Sequence, residues 1–294
     1  MSSAHLSTSD PLSENRIQHY ENFPVASWLC PPHLRPAIVA IYNFARTADD
    51  IADEGSATAQ ERLDDLATYR ADLYAAQLAD TNVKTLSNQW ESVFVPLQSA
   101  IAQFNLPVPL LNNLLSAFEQ DIRKTRDHEG YVNEAELLDY CSRSANPVGR
   151  LLLHLYGIHD ADALRMSDHI CTALQLINFW QDLSQDIPRG RFYLPLESCV
   201  EFGVSKTDLL NLKQTPNTTN LIASQAMNTL STMQKGMQLV HILPGRAGWE
   251  LRFVIQGGLR ILDKIKGLNY AMLENRPKLN KFDFVVIAWR ALWM

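Results

Sequence analysis

Apolar side chains recur every three or four positions through most of the sequence, whereas the period-two alternation of a half-buried strand is scarce. Clusters of Pro, Gly or Asn interrupt this pattern and mark the ends of helical segments. We therefore predict helices over residues 15–28, 34–54, 58–79, 84–103, 108–125, 134–157, 161–186, 196–202, 206–212, 219–242, 246–274 and 280–293.

No stretch has the composition of an interdomain linker, and no repeat of fixed period is present. The economical interpretation is a single all-α domain over residues 15–294, with its helices packed around a central space. The polar residues 1–14 are predicted to be disordered.

The overall composition narrows the class of protein. With 294 residues, of which 46% are hydrophobic and 20% charged, the chain can bury a substantial core. Its formal net charge of −6 gives no whole-chain basic field, so nucleic acid is not an expected partner. The four cysteines are scattered without metal-ligand spacing, which is typical of reduced thiols in a cytosolic protein.

The sequence carries no pattern of secretion or membrane insertion. Its N-terminus is polar and lacks the apolar segment of a signal peptide. No apolar stretch approaches the ~18 residues that a spanning helix requires. We therefore expect a cytoplasmic protein. The segment FVVIAWRALWM at 284–294 fits a core helix or an interfacial one; we favour the core helix, and peripheral contact with the inner membrane stays open.

The helix predicted over 34–54 ends in an acidic cluster. Its polar residues Tyr42, Arg46, Asp49 and Asp53 fall at i, i+4, i+7 and i+11, which places them along one stripe, with Asp50 beside it. Like charges one turn apart repel each other, so either water or a cation must lie between them. Taken alone, this pattern is more typical of a solvent-exposed face.

A second segment, LQLINFWQDLSQDIPRGRFYLP at 174–195, changes that interpretation. Asn178, Asp182 and Asp186 again recur every four residues, within an apolar and aromatic context. If the two helices face each other, their oxygen ligands lie on opposite sides of one cavity.

The ligand types narrow the chemistry of such a cavity. Carboxylates and an amide, without His or Cys at ligand spacing, favour a hard cation such as Mg²⁺. A di-iron bundle would need Glu-x-x-His, which this sequence does not contain. Mg²⁺ leaves positions for phosphate oxygens, so a diphosphate substrate is expected, with Arg46, Arg189 and Arg191 as matching cations. No glycine-rich loop follows a strand, so no tightly bound nucleotide cofactor is expected.

The segments ARTADDIADE (45–54) and NFWQDLSQDIPRGRFYLP (178–195) resemble the two aspartate-rich motifs of the squalene/phytoene synthase family, and the resemblance runs from about His19 to Arg290. The resemblance implies the all-α isoprenoid-synthase fold and an enzyme that ionises a prenyl diphosphate. It implies metal ligands at Asp49, Asp53, Asn178, Asp182 and Asp186; catalytic roles for the four aspartates and Tyr140, near the reacting carbons; and substrate contacts at His19, Tyr42, Arg46, Asp50, Gln181, Arg189, Arg191 and Tyr193.

The sequences of several segments, among them LLDYCSRSANPVGRLLLHLYG at 137–157, are similar to those of the bacterial hydroxysqualene synthase subgroup of hopanoid biosynthesis. Gln181 and Gln185 depart from the family, which usually has arginine and an acidic residue there. Losing a cation at 181 weakens one diphosphate contact, so we expect only the second half of the family's two-step reaction. Presqualene diphosphate and water would then give hydroxysqualene, between a presqualene diphosphate synthase and a hydroxysqualene reductase.

Two alternatives stay open at this point. One is a squalene- or phytoene-type synthase that condenses two prenyl diphosphates. The other is a helical relative without catalytic activity that acts as an assembly or scaffold protein, although such a protein has no need of five metal-ligand positions.

Overall fold

The computed structural model describes residues 30–78 and 86–294. The disorder predicted for 1–14, the helix predicted over 15–28 and His19 lie outside these residues. Within them the chain is helical, and its only strand-like pairing is a parallel bridge between Gly130 and Phe192. The helices are α1 Arg35–Asp53, α2 Ala59–Gln77, α3 Glu91–Phe104, α4 Val108–Asp127, α5 Glu134–Ser144, α6 Asn146–Leu155, α7 Ala161–Asp186, α8 Leu196–Glu201, α9 Lys206–Leu210, α10 Pro216–Gly236, α11 Arg246–Gly267 and α12 Lys281–Leu292.

The all-α prediction is confirmed, and α7 has the bounds that the sequence predicts. Other ends shift because of short 3₁₀ turns. The helix predicted over 84–103 begins at Glu91, after the turn Asn88–Trp90. The helix predicted over 219–242 is α10, which begins three residues earlier and passes into the turn Met237–His241.

Two predicted helices were too long. The helix expected over 134–157 breaks at Ala145, because Pro147 in the first turn of α6 has no N–H to continue the bonding pattern of α5. The helix expected over 246–274 ends at Gly267, since Asn269 and Tyr270 have φ values of 50° and 58° in the left-handed region.

Two apolar clusters form the interior. One packs α1–α4 around the rings of Phe44, Tyr69 and Phe94, and the Tyr69 hydroxyl donates to the Phe44 carbonyl oxygen at 3.0 Å. The other surrounds α7, with α10 and α11 against it. Its fully buried Trp180 donates from Nε1 to Thr229 Oγ1 at 2.8 Å, which satisfies the one polar group of that ring.

Gly258 lets α11 approach α7 closely. A Cβ at this position would lie 2.8 Å from Leu174 Cδ2 and 3.1 Å from Ile177 Cδ1, so a larger residue would push the helices apart. The contact fixes α7, and therefore the aspartates at its end, against the C-terminal part of the chain.

Candidate active site

The C-terminal end of α1 carries its own counter-ion. Arg46 Nη1 lies 3.2 Å from Asp49 Oδ2, and its Nη2 lies 2.6 Å from Asp50 Oδ1 and 3.6 Å from Glu54 Oε1. The last turn of α1 itself contains no basic residue, and Asp53 is its final residue. The helix dipole places partial negative charge at this end, which adds to the carboxylate repulsion and makes the site favourable for a cation.

The C-terminal end of α7 repeats this arrangement with a different cation. Asp186 is the last residue of α7, again without a basic residue in the last turn. One turn earlier, Asp182 receives a bidentate ion pair from Arg276, with Nε–Oδ1 at 2.6 Å and Nη2–Oδ2 at 3.0 Å. The bidentate pairing fixes the plane of the Asp182 carboxylate.

Arg191 joins the two acidic ends. Its Nη2 contacts Asp53 Oδ1 of α1, while its backbone N–H donates to the Asp186 carbonyl oxygen of α7 at 3.0 Å. Gly190, with φ of 81°, makes the tight turn that brings Arg191 back over the helix end. The two motifs that the sequence places about 130 residues apart therefore meet.

Asp121 of α4 lies between the two ends, and the sequence analysis did not identify it. Burial of its carboxylate, with the charges of Asp49 and Asp186, raises the pKa of Asp121 to about 7. The Tyr140 hydroxyl donates to Asp121 Oδ2 and opposes that rise. A signal was present in the sequence, since Asp121 continues the buried stripe of Leu114 and Ala117 at i+7 and i+4.

The carboxylates of the site hold more negative charge than the nearby arginines offset. Burial, then the charge of Asp182, raises the pKa of Asp186 to about 7, while Arg189 and Arg276 lower it. Burial within the cleft likewise raises the pKa of Asp49, although 41% of its side chain is accessible. A cation entering between the two helices would relieve this repulsion.

Four buried aromatic rings contact one another beside Asp121, and we call this cluster the apolar wall: Tyr131, Tyr140, Phe179 and Tyr193. The ring of Phe179 stacks on Tyr193 with 3.7 Å between centroids and 9° between planes. Tyr140 lies 6.0 Å from Phe179, and Tyr131 lies 5.5 Å from Tyr140. Burial raises the pKa of Tyr140 well above its ordinary value, so it is a neutral phenol whose proton points to Asp121.

Three further residues of the predicted site differ in their burial and hydrogen bonding. Tyr42 is half-buried on the stripe of α1 that carries Arg46. Asn178 is exposed, and its side chain forms no hydrogen bond with another described residue. Gln181 is buried, and its Nε2 donates to the Pro277 carbonyl oxygen at 2.7 Å. Its predicted substrate contact stays a prediction.

Arg276 is a second residue that the sequence analysis missed. It belongs to the segment after α11, which the sequence assigned partly to that helix, and it reaches the site from 94 positions beyond Asp182. The hydrogen bond from Gln181 to Pro277 holds the neighbouring backbone. Only the fold brings this cation to the second motif.

The donor set fits a hard divalent cation. Asp49, Asp53, Asn178, Asp182 and Asp186 offer only carboxylate and amide oxygens. Across residues 30–78 and 86–294, no group of three His, Cys, Asp or Glu side chains is arranged to hold a metal by itself. Mg²⁺ ordinarily keeps coordination positions for water or phosphate oxygens. In the same ranges, no helix is both long and apolar enough to cross a bilayer.

Comparison with known proteins places this site in a family. Residues 17–283 match the model of the squalene/phytoene synthase family. The chain is 32% identical over 289 residues to the hydroxysqualene synthase of Rhodopseudomonas palustris, covering 98% of this chain and 93% of that protein. It is 30% identical to the presqualene diphosphate synthase of the same organism, covering 68% of this chain and 67% of the relative.

A solved structure agrees with these matches. The crystal structure of squalene synthase HpnC from Alicyclobacillus acidocaldarius is similar with a TM-score of 0.76 and 33% identity, covering 87% of this chain and 92% of that one. The predicted isoprenoid-synthase fold is confirmed, with the two aspartate-bearing helices joined through Arg191. On its sequence, its fold and the match over residues 17–283, the chain belongs to the squalene/phytoene synthase family of prenyl diphosphate-processing enzymes.

Proposed function

We propose that the protein is a Mg²⁺-dependent hydroxysqualene synthase, which converts presqualene diphosphate and water to hydroxysqualene and diphosphate. The observation that carries the proposal is the meeting of the two acidic helix ends through Arg191, beside a wall of four aromatic rings. A charged subsite thereby adjoins an apolar one, as an ionisable diphosphate with a long hydrocarbon requires. The names of similar proteins support the same activity.

Asp49, Asp53, Asn178, Asp182 and Asp186 would hold the metal. When bound, Mg²⁺ supplies positive charge where negative charge develops on the departing diphosphate. Arg189 and Arg191 lie beside Asp186 and Asp53 and add charge on the same side. Arg276 fixes the orientation of Asp182, so the ligand is held in place before substrate arrives.

The apolar wall serves the carbocation. As the C–O bond breaks, its electron pair leaves with the diphosphate and a cyclopropylcarbinyl cation remains. Tyr140, Phe179 and Tyr193 present aromatic faces that stabilise such a cation and limit the access of water. After rearrangement of the skeleton, a water oxygen forms the new C–O bond and releases a proton, so no reductant is consumed.

The proposal places the enzyme between two others in the formation of squalene for hopanoids. A presqualene diphosphate synthase would supply its substrate, and a hydroxysqualene reductase would consume its product. Rhodopseudomonas palustris contains relatives with both synthase names, which is consistent with a division of the two steps between two chains.

A product assay tests the proposal. The purified protein with Mg²⁺ receives either presqualene diphosphate or farnesyl diphosphate, and the products are identified by mass spectrometry. We expect hydroxysqualene from the first substrate and no product from the second. Turnover of farnesyl diphosphate alone would instead support the condensing alternative, and turnover of neither would favour a relative without catalytic activity.

Gln181 allows a sharper version of this assay. We expect Gln181→Arg to restore the cation that the family usually has before this aspartate, and to leave presqualene diphosphate turnover measurable. Gln185→Glu, the other departure on the same helix, is the matched variant. Activity of either variant toward farnesyl diphosphate would show how far one residue separates the two steps.

A further inference from the structure

Helix α12 buries one face against the rest of the protein and exposes an apolar face on the opposite side. Asp283, Ile287 and Ala291 recur every four residues and are buried against the rest of the protein. The opposite stripe is exposed, with accessible fractions of 59–77%, and we call it the α12 outer face: Phe282, Val285, Trp289, Leu292 and Trp293. A solvent-facing stripe of a helix is ordinarily polar, so this arrangement calls for a reason.

Ion pairs to α11 fix the rotation of α12 about its axis and keep the outer face exposed. The buried Asp283 pairs with Arg260 Nε of α11 at 2.8 Å and with Lys264 Nζ at 2.7 Å. Near the other end, Arg290 Nη1 lies 2.6 Å from Asp263 Oδ2 of α11. Rotating α12 to bury its aromatic side chains would break both connections and leave a buried carboxylate unpaired.

The aromatic surface extends onto α11. Trp249 and Phe253 are one turn apart and are both partly exposed. The Arg252 guanidinium lies 4.9 Å from the centre of the Trp249 ring and donates to the Ala291 carbonyl oxygen of α12 at 3.4 Å. Three of the six tryptophans of the chain therefore border this one side of the molecule.

The charge of the chain is concentrated on the same segment. Residues 246–294 contain nine lysines and arginines against four aspartates and glutamates, a net charge of +5, whereas the remaining residues carry −11 of the total of −6. The only carboxylate of α12 is the buried Asp283, so the outer face carries no negative charge. Several of these cations are already paired, among them Arg276 with Asp182, but Lys281 is exposed at the start of α12 and adds positive charge beside the outer face. The face is therefore complementary to an anionic surface.

We propose that the α12 outer face, with Trp249, docks on the surface of an anionic lipid bilayer. Aromatic rings with adjacent lysine and arginine are the groups that insert at the boundary between headgroups and acyl chains. A bilayer is favoured over a protein partner because substrate and product are long hydrocarbons that partition into lipid, a step that rests on the proposed function. Docking would place the enzyme where both molecules concentrate.

Vesicle binding by the full chain tests this proposal without substrate. Sedimentation with phosphatidylcholine vesicles is compared with and without phosphatidylglycerol. We expect stronger binding to the anionic vesicles and weakening by salt. The variant Phe282→Ser/Trp289→Ser/Trp293→Ser should lower the partition coefficient by about tenfold or more. Lys281→Gln, which removes only a charge, should lower it by about fivefold.

The matched control is Val200→Ser/Leu210→Ser/Met227→Ser, which removes three exposed apolar side chains from α8, α9 and α10. It should bind vesicles as the unaltered protein does. Absence of binding to anionic vesicles, or equal loss in both triple variants, would overturn the proposal. So would self-association that only the α12 triple variant abolishes, since a second copy would then cover the face.

Turnover separates this proposal from the proposed function. Both triple variants should process detergent-dispersed presqualene diphosphate as well as the unaltered protein, because none of the six residues lies in the active site. A chain that binds vesicles but turns over no presqualene diphosphate would overturn the proposed reaction and leave the docking surface supported.

Discussion

The two acidic helix ends differ in the origin of their cations. Arg46 is one turn from Asp49 and Asp50 on α1, so the first end is neutralised within its own helix. The cation of Asp182 is Arg276, which comes from a segment 94 residues further along the chain. The first end can therefore form with its helix, whereas the second depends on the packing of the C-terminal segment.

This difference matters for catalysis because both ends must act on one diphosphate. The accessible fractions of Asp49 and Asp50 are 41% and 44%, and that of Asp182 is 28%, so the first end is the more open. Arg191 connects the two ends through its side chain on Asp53 and its backbone N–H on Asp186, and the charge of Asp121 interacts with Asp49 and Asp186. The site is thus an open half and a more enclosed half, held together at two points.

Removing one carboxylate from each end should have the largest effect. We expect Asp49→Asn/Asp182→Asn to lower turnover of presqualene diphosphate by about 10³-fold or more, because both groups of metal ligands lose charge. Asp64→Asn/Asp162→Asn is the control, with two exposed aspartates of α2 and α7 outside the site. Unchanged turnover and Mg²⁺ dependence in the first variant would refute the active-site assignment.

Breaking the long-range ion pair between Arg276 and Asp182 should have the second-largest effect on activity. Arg276→Gln removes the bidentate pair of Asp182, and we expect kcat/KM to fall by about 10–100-fold as the ligand loses its orientation. Stability should fall by less than about 1 kcal/mol, since both side chains are partly exposed. Arg165→Gln, which disrupts an exposed pair with Asp162, serves as the control. Equal kinetics in the two variants would contradict a positioning role for Arg276.

The pH dependence of stability tests the point where the two ends meet. The folded pKa of Asp121, about 7, lies above its ordinary value, so folding favours the protonated carboxyl. The associated stability is present below about pH 4 and is lost as pH rises to about 7. In metal-free protein, Asp121→Asn should match the unaltered chain at low pH and exceed it at pH 8 by about 1–3 kcal/mol.

Urea unfolding of both proteins across this pH range measures the effect. Asp186 also has a pKa of about 7 in the folded state, and because its charge acts on Asp121, the pH-dependent difference reports the coupled pair and not Asp121 alone. A difference that does not change with pH would mean that Asp121 is not held between Asp49 and Asp186 as described.

The smallest expected effect is on stability and concerns the hydrogen bond from Gln181 to Pro277, which anchors the segment that carries Arg276. Gln181→Ala removes a buried hydrogen bond to the Pro277 carbonyl oxygen and should cost about 1–2 kcal/mol of stability. Gln185→Ala, on an exposed face of the same helix, should change stability by less than about 0.5 kcal/mol. Thermal unfolding of the pair gives the comparison, and similar values would show that the anchor contributes little.

The periodicity of the sequence was sufficient to predict most of the helices and the aspartate stripes of the candidate site. The four-residue spacing of Asn178, Asp182 and Asp186 predicted their common stripe, and the bounds of α7 follow from its continuous helical pattern. The break at Ala145 depends on Pro147 meeting the end of α5, which periodicity does not register. The left-handed residues that end α11 likewise leave no apolar signature.

The missing half of the site required tertiary structure. The sequence shows only that Asp121 lies on the apolar stripe of α4, and the fold is needed to bring it near Asp49 and Asp186. Arg276 follows a segment that was expected to continue a helix. Gln181 is a different case, because the family resemblance implies a substrate contact there and that contact stays a prediction. What only the tertiary structure shows is that its amide donates to the Pro277 carbonyl oxygen.

The central claim is that the two helix ends form one cation–diphosphate site. Isothermal titration of Mg²⁺ in the presence of inorganic diphosphate tests it, with Asp49→Asn, Asp182→Asn and the double variant as a mutant cycle. One shared site predicts that either single change abolishes most of the binding and that the second adds little. Independent, additive losses, or binding that survives in the double variant, would contradict the account.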